Sequence, residues 1–568
     1  MLSAEEQLVL SRLAVFRGGF TQQAGSRIAG SSPFFLDALV SRAFLRKIAP
    51  DHYDMHELLR RYSLEKLETQ LDSFLETSTL HARYYLQDLS DRRDAFSRGT
   101  LPVDLLNLDH DNYRQAWNWA LENKLLADMH TGLEGFYAFL HLTGNYKEGE
   151  NALSAAIQGL ELLHKEPLPD LELIESLLAR LHIRLAGILN KLGLFEEAIQ
   201  HSQNGLEFTT VCQSDPQLQA AGFIEWGEGL RHQGNYQPAL KLLERALGIG
   251  RRNNLPEILV DSLYGLGAVA HYQGNLPEQY RFAEEALRVS LENEDMRGQG
   301  RAYNILAIAT EMEGKYSLAM AYYERAIQVS RQIGDRRSES IPLINLASLL
   351  QLLGSYGAAR SVYEHFLEIK RDLSDRPGEV WGLVYLGLLF HQLGNHAVAQ
   401  TYARQALLAA VELGDRHNQA TALTNLGHAQ AGLGEYTSAQ EAYQQALNLR
   451  TELDQECIAM ENLAGLARTA LAQGEPKQAL DYVNVILNYV QKNSLDGNDE
   501  PFRVWLTCSQ VLEANQDQRT QEVTERAYDL LNERASQIQD EELRRSFLEN
   551  VSAHRELVDI YKRYSMGD

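Results

Sequence analysis

An all-α solenoid of stacked helical hairpins is the fold this sequence predicts, and three observations predict it. Gly234, Gly274, Gly314, Gly354, Gly394, Gly434 and Gly474 recur every 40 residues. The same residue types flank each of them. The chain of 568 residues is 44% hydrophobic, which suits a packed protein rather than a disordered one. A period of roughly 20 to 50 residues marks units that each bury their neighbour's apolar face.

The flanking columns say what each unit is made of. Eight residues before the glycine stand Trp226, Leu266, Leu306, Leu346, Leu386, Leu426 and Leu466. Beside them come small residues, as in Gly227, Ala307 and Gly387. Two residues after the glycine an aromatic is common, as in Tyr236, Tyr316, Tyr356 and Tyr436, and five after it alanine dominates, as in Ala239, Ala319, Ala359, Ala399, Ala439 and Ala479. Leucine supplies a large contact on a first helix, and the small residue lets a second helix approach. The glycine ends the first helix in a left-handed conformation that a Cβ would penalise. The alanine sits at the closest crossing. Trp226 is expected in the core with its leucine counterparts. Gln279 and Pro476 depart from the alanine and aromatic columns, and Gly193 begins the series one residue out of step.

This order resembles the tetratricopeptide repeat, at about 40 residues instead of the usual ~34. The resemblance implies a right-handed superhelix whose first helices line a concave face. Gly334-Asp335 and Gly414-Asp415 read as turns between repeats. Residues 71–175 are expected to be helical but off period, although Gly144-Asn145-Tyr146 imitates the repeat turn. Residues 176–500 form the regular array, Gly497 lies in a loop, and residues 501–568 read as capping helices.

Residues 1–70 follow another pattern, of helices with a small hairpin before the last. Leu13-Ala14-Val15-Phe16-Arg17-Gly18-Gly19-Phe20, with Tyr53-Asp54-Met55-His56-Glu57-Leu58-Leu59, is similar to the winged helix of signal-transduction ATPases with numerous domains, the STAND family. Asp111-Asn112-Tyr113-Arg114-Gln115-Ala116-Trp117 resembles the helix that leads into the sensor of that family, and Asp540 to Asn550 resembles a closing segment. The sensor of one member, the maltose-regulon activator, uses comparable hairpins. No G-x-x-x-x-G-K-[ST] loop occurs, so no Walker phosphate cradle is present. The resemblance therefore implies the C-terminal part of a longer switch protein, with an ATPase module upstream.

Composition narrows the function. The net charge is −24, but residues 1–70 hold nine Lys/Arg and eight Asp/Glu, so the acidity belongs to the array. An acidic surface repels phosphate backbones. Three cysteines far apart (Cys212, Cys457, Cys508) make neither a metal pattern nor a disulfide framework, and a cytoplasmic setting is expected. No apolar run is long enough to span a bilayer. Gly265-Leu266-Gly267-Ala268-Val269-Ala270 satisfies a dinucleotide pattern, but in repeat register and with no preceding strand. No catalytic or metal constellation appears, so no enzyme activity, cofactor or metal is expected.

The resemblance also locates a binding surface. Counting back from each glycine to the inward positions of the first helix gives Arg184, Glu228, Arg231, Tyr264, His271, Arg301, Asn304, Glu311, Asn345, Gln351, Trp381, Tyr385, His391, Asn425 and His428. The set is polar, mixed in sign and interspersed with aromatics, which suits a protein segment, a peptide or a small effector. The leading expectation is a sensor and interaction arm that takes a partner in an open groove and biases the upstream ATPase. The alternatives are a static assembly scaffold and a winged-helix DNA-binding regulator using Arg42, Arg46, Lys47, Arg60 and Arg61.

Overall fold

The computed structural model describes residues 3–98, 108–164, 170–211, 215–273, 275–373, 375–453, 455–495 and 498–565. Gly274, Gly497 and Cys212 lie outside the described residues. So does the interruption expected at Leu168-Pro169. The described part is almost wholly helical, with one small sheet.

The chain begins with α1 (Ala4–Leu13), closed at its N-terminus by a capping box between Ser3 and Glu6. β1 (Phe20–Thr21), α2 (Gln22–Ala29) and α3 (Pro33–Ser41) follow, then the hairpin β2 (Leu45–Ala49) and β3 (His52–Met55), and α4 (Glu57–Glu68). The sheet order is β1-β3-β2, antiparallel, with Phe20 opposite Tyr53 and Leu45 opposite Met55. Helices with a small hairpin before the last thus make up residues 3–68, the order that the sequence pattern predicts there. Two of the strings singled out in the sequence meet here. Asn112 Oδ1 accepts from the Arg17 N–H at 2.8 Å, Asn112 Nδ2 donates to the Gly19 carbonyl at 2.7 Å, and Gln115 Nε2 donates to the Val15 carbonyl at 3.0 Å. A helix some 95 positions later thereby holds the Gly18-Gly19 turn.

The repeats form antiparallel helix pairs as their columns require. Gly193, Gly234, Gly314, Gly354, Gly394, Gly434 and Gly474 all have φ between 73° and 80°. At Gly394 the turn closes through Gly394 N–H to His391 carbonyl and Asn395 N–H to Phe390 carbonyl, both 2.9 Å, which satisfies carbonyls the helix end leaves free. Gly334 and Gly414 turn the chain between repeats. The alanine column from Ala198 to Ala479 is fully buried. Gln279 keeps its place there by donating from Nε2 to the Ile305 carbonyl at 3.4 Å. Pro476 sits in the first turn of the helix Pro476–Val490, where its missing N–H costs no hydrogen bond.

Two compact units result, where the sequence suggested four segments. One comprises residues 1–305 with 328–335, the other residues 306–327 with 336–568. The reason is continuous burial. In the first unit the off-period helices α5 (Leu71–Asp91), His110–Glu122 and Leu126–Thr143 share a core with the helix Leu171–Leu192. In the second, Phe502, Trp505, Leu531, Phe547 and Leu557 of the last helices join Tyr316, Tyr363 and Phe390 of the repeats. The closing segment returns onto repeat turns: Ser546 Oγ donates to the Leu353 carbonyl at 2.6 Å and Ser317 Oγ to Asp540 at 3.4 Å.

That return distinguishes two glycines of like backbone. A Cβ on Gly434 (φ 80°) meets nothing within 4 Å, whereas one on Gly354 (φ 74°) meets Asn550 Cβ at 2.9 Å and the Ser546 carbonyl at 3.0 Å. Gly434→Ala is expected to cost about 1–2 kcal/mol from the left-handed backbone alone, and Gly354→Ala about 1–3 kcal/mol more from overpacking. Denaturant unfolding followed in the second unit measures both. Equal losses would mean that residues 546–550 do not cover the turn.

Candidate functional site

The inward positions have different fates in the two units. In the first unit they build an ordered polar face. Arg184 pairs with Glu134 at 2.6 Å and lies 5.0 Å over the Tyr137 ring. Arg231 pairs with Glu228 at 2.7 Å and lies 5.9 Å over Tyr272. Arg301 pairs with Asp261 at 2.6 Å and lies 4.0 Å over Tyr264. Three guanidinium groups are thus each held by a carboxylate and a tyrosine ring, which fixes their planes before any ligand arrives. Burial works against the charge on Glu134, but Arg184 and Arg180 outweigh it and hold its carboxyl below the usual range. Glu225 accepts from Asn190 Nδ2 at 3.0 Å, and burial pushes its carboxyl up. His271 lies beside Tyr272, with ring centroids 5.3 Å apart, and Asn304 is buried.

Glu134 and Tyr137 escaped the sequence reading because their helix is off period. Counting back from Gly144, whose φ is 74°, would have placed Glu134 ten residues before a turn glycine, an inward position.

In the second unit most of the same positions are buried, some against the repeats' own second helices and some under the start of the helix Pro501–Ala514, which corrects the expectation of an open face there. Gln392 Nε2 donates to Glu500 at 2.9 Å, and Gln351 Nε2 donates to Gln392 at 2.8 Å. Gln351 accepts from Tyr363 OH, and Tyr385 stacks on Tyr363 with centroids 5.4 Å apart. Asn425 and His428 are buried, with Asn425 Nδ2 donating to the Val384 carbonyl and His428 Nδ1 bonded to Tyr443 OH. His391 stacks on His428 at 5.2 Å. Burial first, and then Arg503, holds both imidazoles well below their ordinary pKa. Glu311 accepts from Tyr323 OH at 2.7 Å, and burial pushes its carboxyl up to about 7. Asn345 is half-buried, and Trp381 is 50% exposed. The covering by the helix Pro501–Ala514 could not be read from the repeat register, because that helix lies outside it.

His428, Glu461 and Glu500 bring one ligand atom each within 4.8 Å of one another, a spacing that suits a metal ion. Their charges do not suit one. Arg468 pairs with Glu461 at 2.6 Å and Arg503 with Glu500 at 2.8 Å. Both carboxylates are neutralised, so a divalent ion would add uncompensated buried charge. The basic residues considered for DNA are also committed. Arg60 is buried against Glu57 and the Ala14 carbonyl, Arg46 pairs with Asp54, and Arg42 and Arg61 lie 3.7 Å and 3.6 Å from Glu6 and Glu57. Lys47 sits 5.6 Å over Tyr53.

Trp226, like Leu426 of the same column and unlike the buried leucines at its other positions, stays outside the core. It is half-buried, and it lines a cleft on the helix Pro216–His232. Among the described residues, no helix is long and apolar enough to cross a membrane.

Comparison with known proteins agrees with this architecture. Residues 298–372, 338–407 and 379–452 match the tetratricopeptide repeat family. No curated protein matches the chain in sequence. Among solved structures, a signal-transduction ATPase with numerous domains from Pyrococcus horikoshii, which carries a tetratricopeptide repeat sensor, superposes over 80% of this chain with a TM-score of 0.51 and 16% identity. The match spans 65% of that protein's length. The apo form of the quorum sensor NprR from B. thuringiensis matches over 61% of this chain and 97% of its own, with a TM-score of 0.44 and 16% identity. A Rap protein complexed with competence and sporulation factor matches over 62% of this chain and all of its own, with a TM-score of 0.41 and 15% identity. The chain thus carries tetratricopeptide repeats in a fold shared with the sensor-bearing Pyrococcus ATPase.

Proposed function

We propose that this chain is a non-enzymatic sensor and interaction arm of a STAND-type signalling protein, and that it takes a peptide or protein segment on the inner face of the first unit. The observation that carries the reading is the trio Arg184, Arg231 and Arg301, each held between a carboxylate and a tyrosine. Such donors lose little freedom when a ligand's carbonyls or carboxylates arrive. The fold shared with the Pyrococcus ATPase supports an attached ATPase module as the output. A partner shifts that module only by binding one of its states more tightly. Trp381, 50% exposed at an inward position of the second unit, is the natural control.

A random-peptide library selected on the full chain, with hits measured by fluorescence anisotropy, tests the site. Arg301→Ala should weaken binding about tenfold or more, the scale of one charge-assisted contact. Trp381→Ala should leave it unchanged. Hits indifferent to Arg301 would remove the inner face of the first unit as the site.

A further inference from the structure

The break in the leucine column has a consequence of its own. Every repeat except that of Gly234 has leucine eight residues before the glycine, and Leu266 and Leu386 are at most 1% exposed. The Gly234 repeat has Trp226 there and Phe223 one turn earlier. Trp226 is half-buried there, as Leu426 is in its own repeat. Together Phe223, Trp226 and Leu206 wall a cleft of about 420 Å³ between the helices Phe195–Val211, Pro216–His232 and Tyr236–Asn253. Gln203, Glu207, Gln219 and Arg245 complete the lining.

The polar part of the lining mixes donors and acceptors. Arg245 lies 4.2 Å over the Phe223 ring. Among the described residues, the side chains of Gln203, Gln219, Trp226 and Arg245 have no hydrogen-bond or ion-pair partner. They offer two carboxamides, each donor and acceptor at once, an indole N–H and a guanidinium. Glu207 supplies the only carboxylate of the lining. The guanidinium of Arg245, which has no carboxylate partner among the described residues, is the group of the cleft that takes an anionic acceptor. Its aromatic walls ask for a flat apolar body. The volume is that of a small-molecule site.

We infer that this cleft binds a small aromatic carboxylate, its ring against Trp226 and Leu206 and its carboxylate on Arg245. An Arg–carboxylate contact beside an aromatic face combines a charge-assisted pair with ring burial. The site is separate from the inner face, and it stands if the peptide reading fails.

Saturation-transfer NMR and calorimetry on the full chain, with phenylacetate and indole-3-acetate as probes, decide the matter. Saturable binding is expected near ~1 mM, the range open to ligands of this size. Phenylacetamide, which lacks the charge, should bind about tenfold more weakly. Trp226→Leu restores the residue of the other repeats, so the fold should be kept; it and Arg245→Gln should each weaken indole-3-acetate about tenfold or more. Arg301→Ala, which acts on the inner face, should leave the indole-3-acetate affinity unchanged. No saturable binding at about 10 mM, equal binding of the neutral amide, or unaltered affinity in both cleft variants would overturn the assignment.

Discussion

Arg503→Met is expected to destabilise the second unit by about 3–5 kcal/mol at pH 8, the usual cost of removing one partner from a buried ion pair. Arg503 stands at the start of the helix Pro501–Ala514 and pairs with Glu500 at 2.8 Å. Burial opposes the charge on Glu500, but Arg503 and the hydrogen bond from Gln392 outweigh it and hold its carboxyl below the usual range. Glu461, which burial pushes up, is restrained by Arg468 and Arg503. Without Arg503, two buried carboxylates share one guanidinium. Methionine keeps much of the stem's packing, so the loss reports charge rather than volume.

The pH dependence of this loss separates charge from packing. Burial and then Arg503 depress the pKa of His391 and His428, so the folded wild-type unit resists protonating them. The unfolded chain takes up those protons near its ordinary histidine pKa of about 6.5. The wild type therefore loses this contribution as pH falls below that value. In Arg503→Met the histidines protonate more readily and Glu500 does too, which relieves the strain of the variant. The gap between wild type and variant should shrink between pH 8 and pH 5, read by denaturant midpoints at each pH. A gap that stays constant would mean that Arg503 acts through packing alone.

The parts of the fold that repeat were legible, because each column answers one steric demand. The glycines lie in the left-handed region and the alanines are sealed, as a forty-residue register requires. The polar face of the first unit was half legible. Arg184, Arg231 and Arg301 follow from register, but Glu134 and Tyr137 stand on a helix whose spacing to the next turn is irregular. The covering of the second unit was not legible. Nothing in the column positions of His391 or His428 announces that residues beyond 498 fold back on them. That contact joins an amphipathic array to a segment without its period, and sequence pattern carries no distance between the two. At Trp226 the column promised a burial that the structure does not give, and Leu426 shows the same departure.

Gly135→Ala is expected to cost about 3 kcal/mol or more in the first unit, at the upper end for an overpacked site. The helix Leu126–Thr143 crosses α5 at Gly132 and Gly135, one turn apart. A Cβ on Gly135 would lie 2.0 Å from the Leu89 carbonyl oxygen, and one on Gly132 would lie 2.7 Å from Leu86 Cδ2. The Leu86 side chain can shift, but the Leu89 carbonyl belongs to a helix backbone that moves only as a whole. Separating the helices would open the contact around Leu86, Leu89 and Leu133, all fully buried. The helix-propensity gain of alanine over glycine, about 1 kcal/mol, offsets only part of this. Gly248, inside the helix Tyr236–Asn253, is the contrasting position, because a Cβ there meets nothing within 4 Å. Gly248→Ala should stabilise by about 0.5–1 kcal/mol. Calorimetric unfolding of the two variants beside the parent gives both signs in one experiment. Equal and opposite behaviour to that stated, or no loss at Gly135, would show that α5 and its partner helix do not meet as closely as their glycines allow.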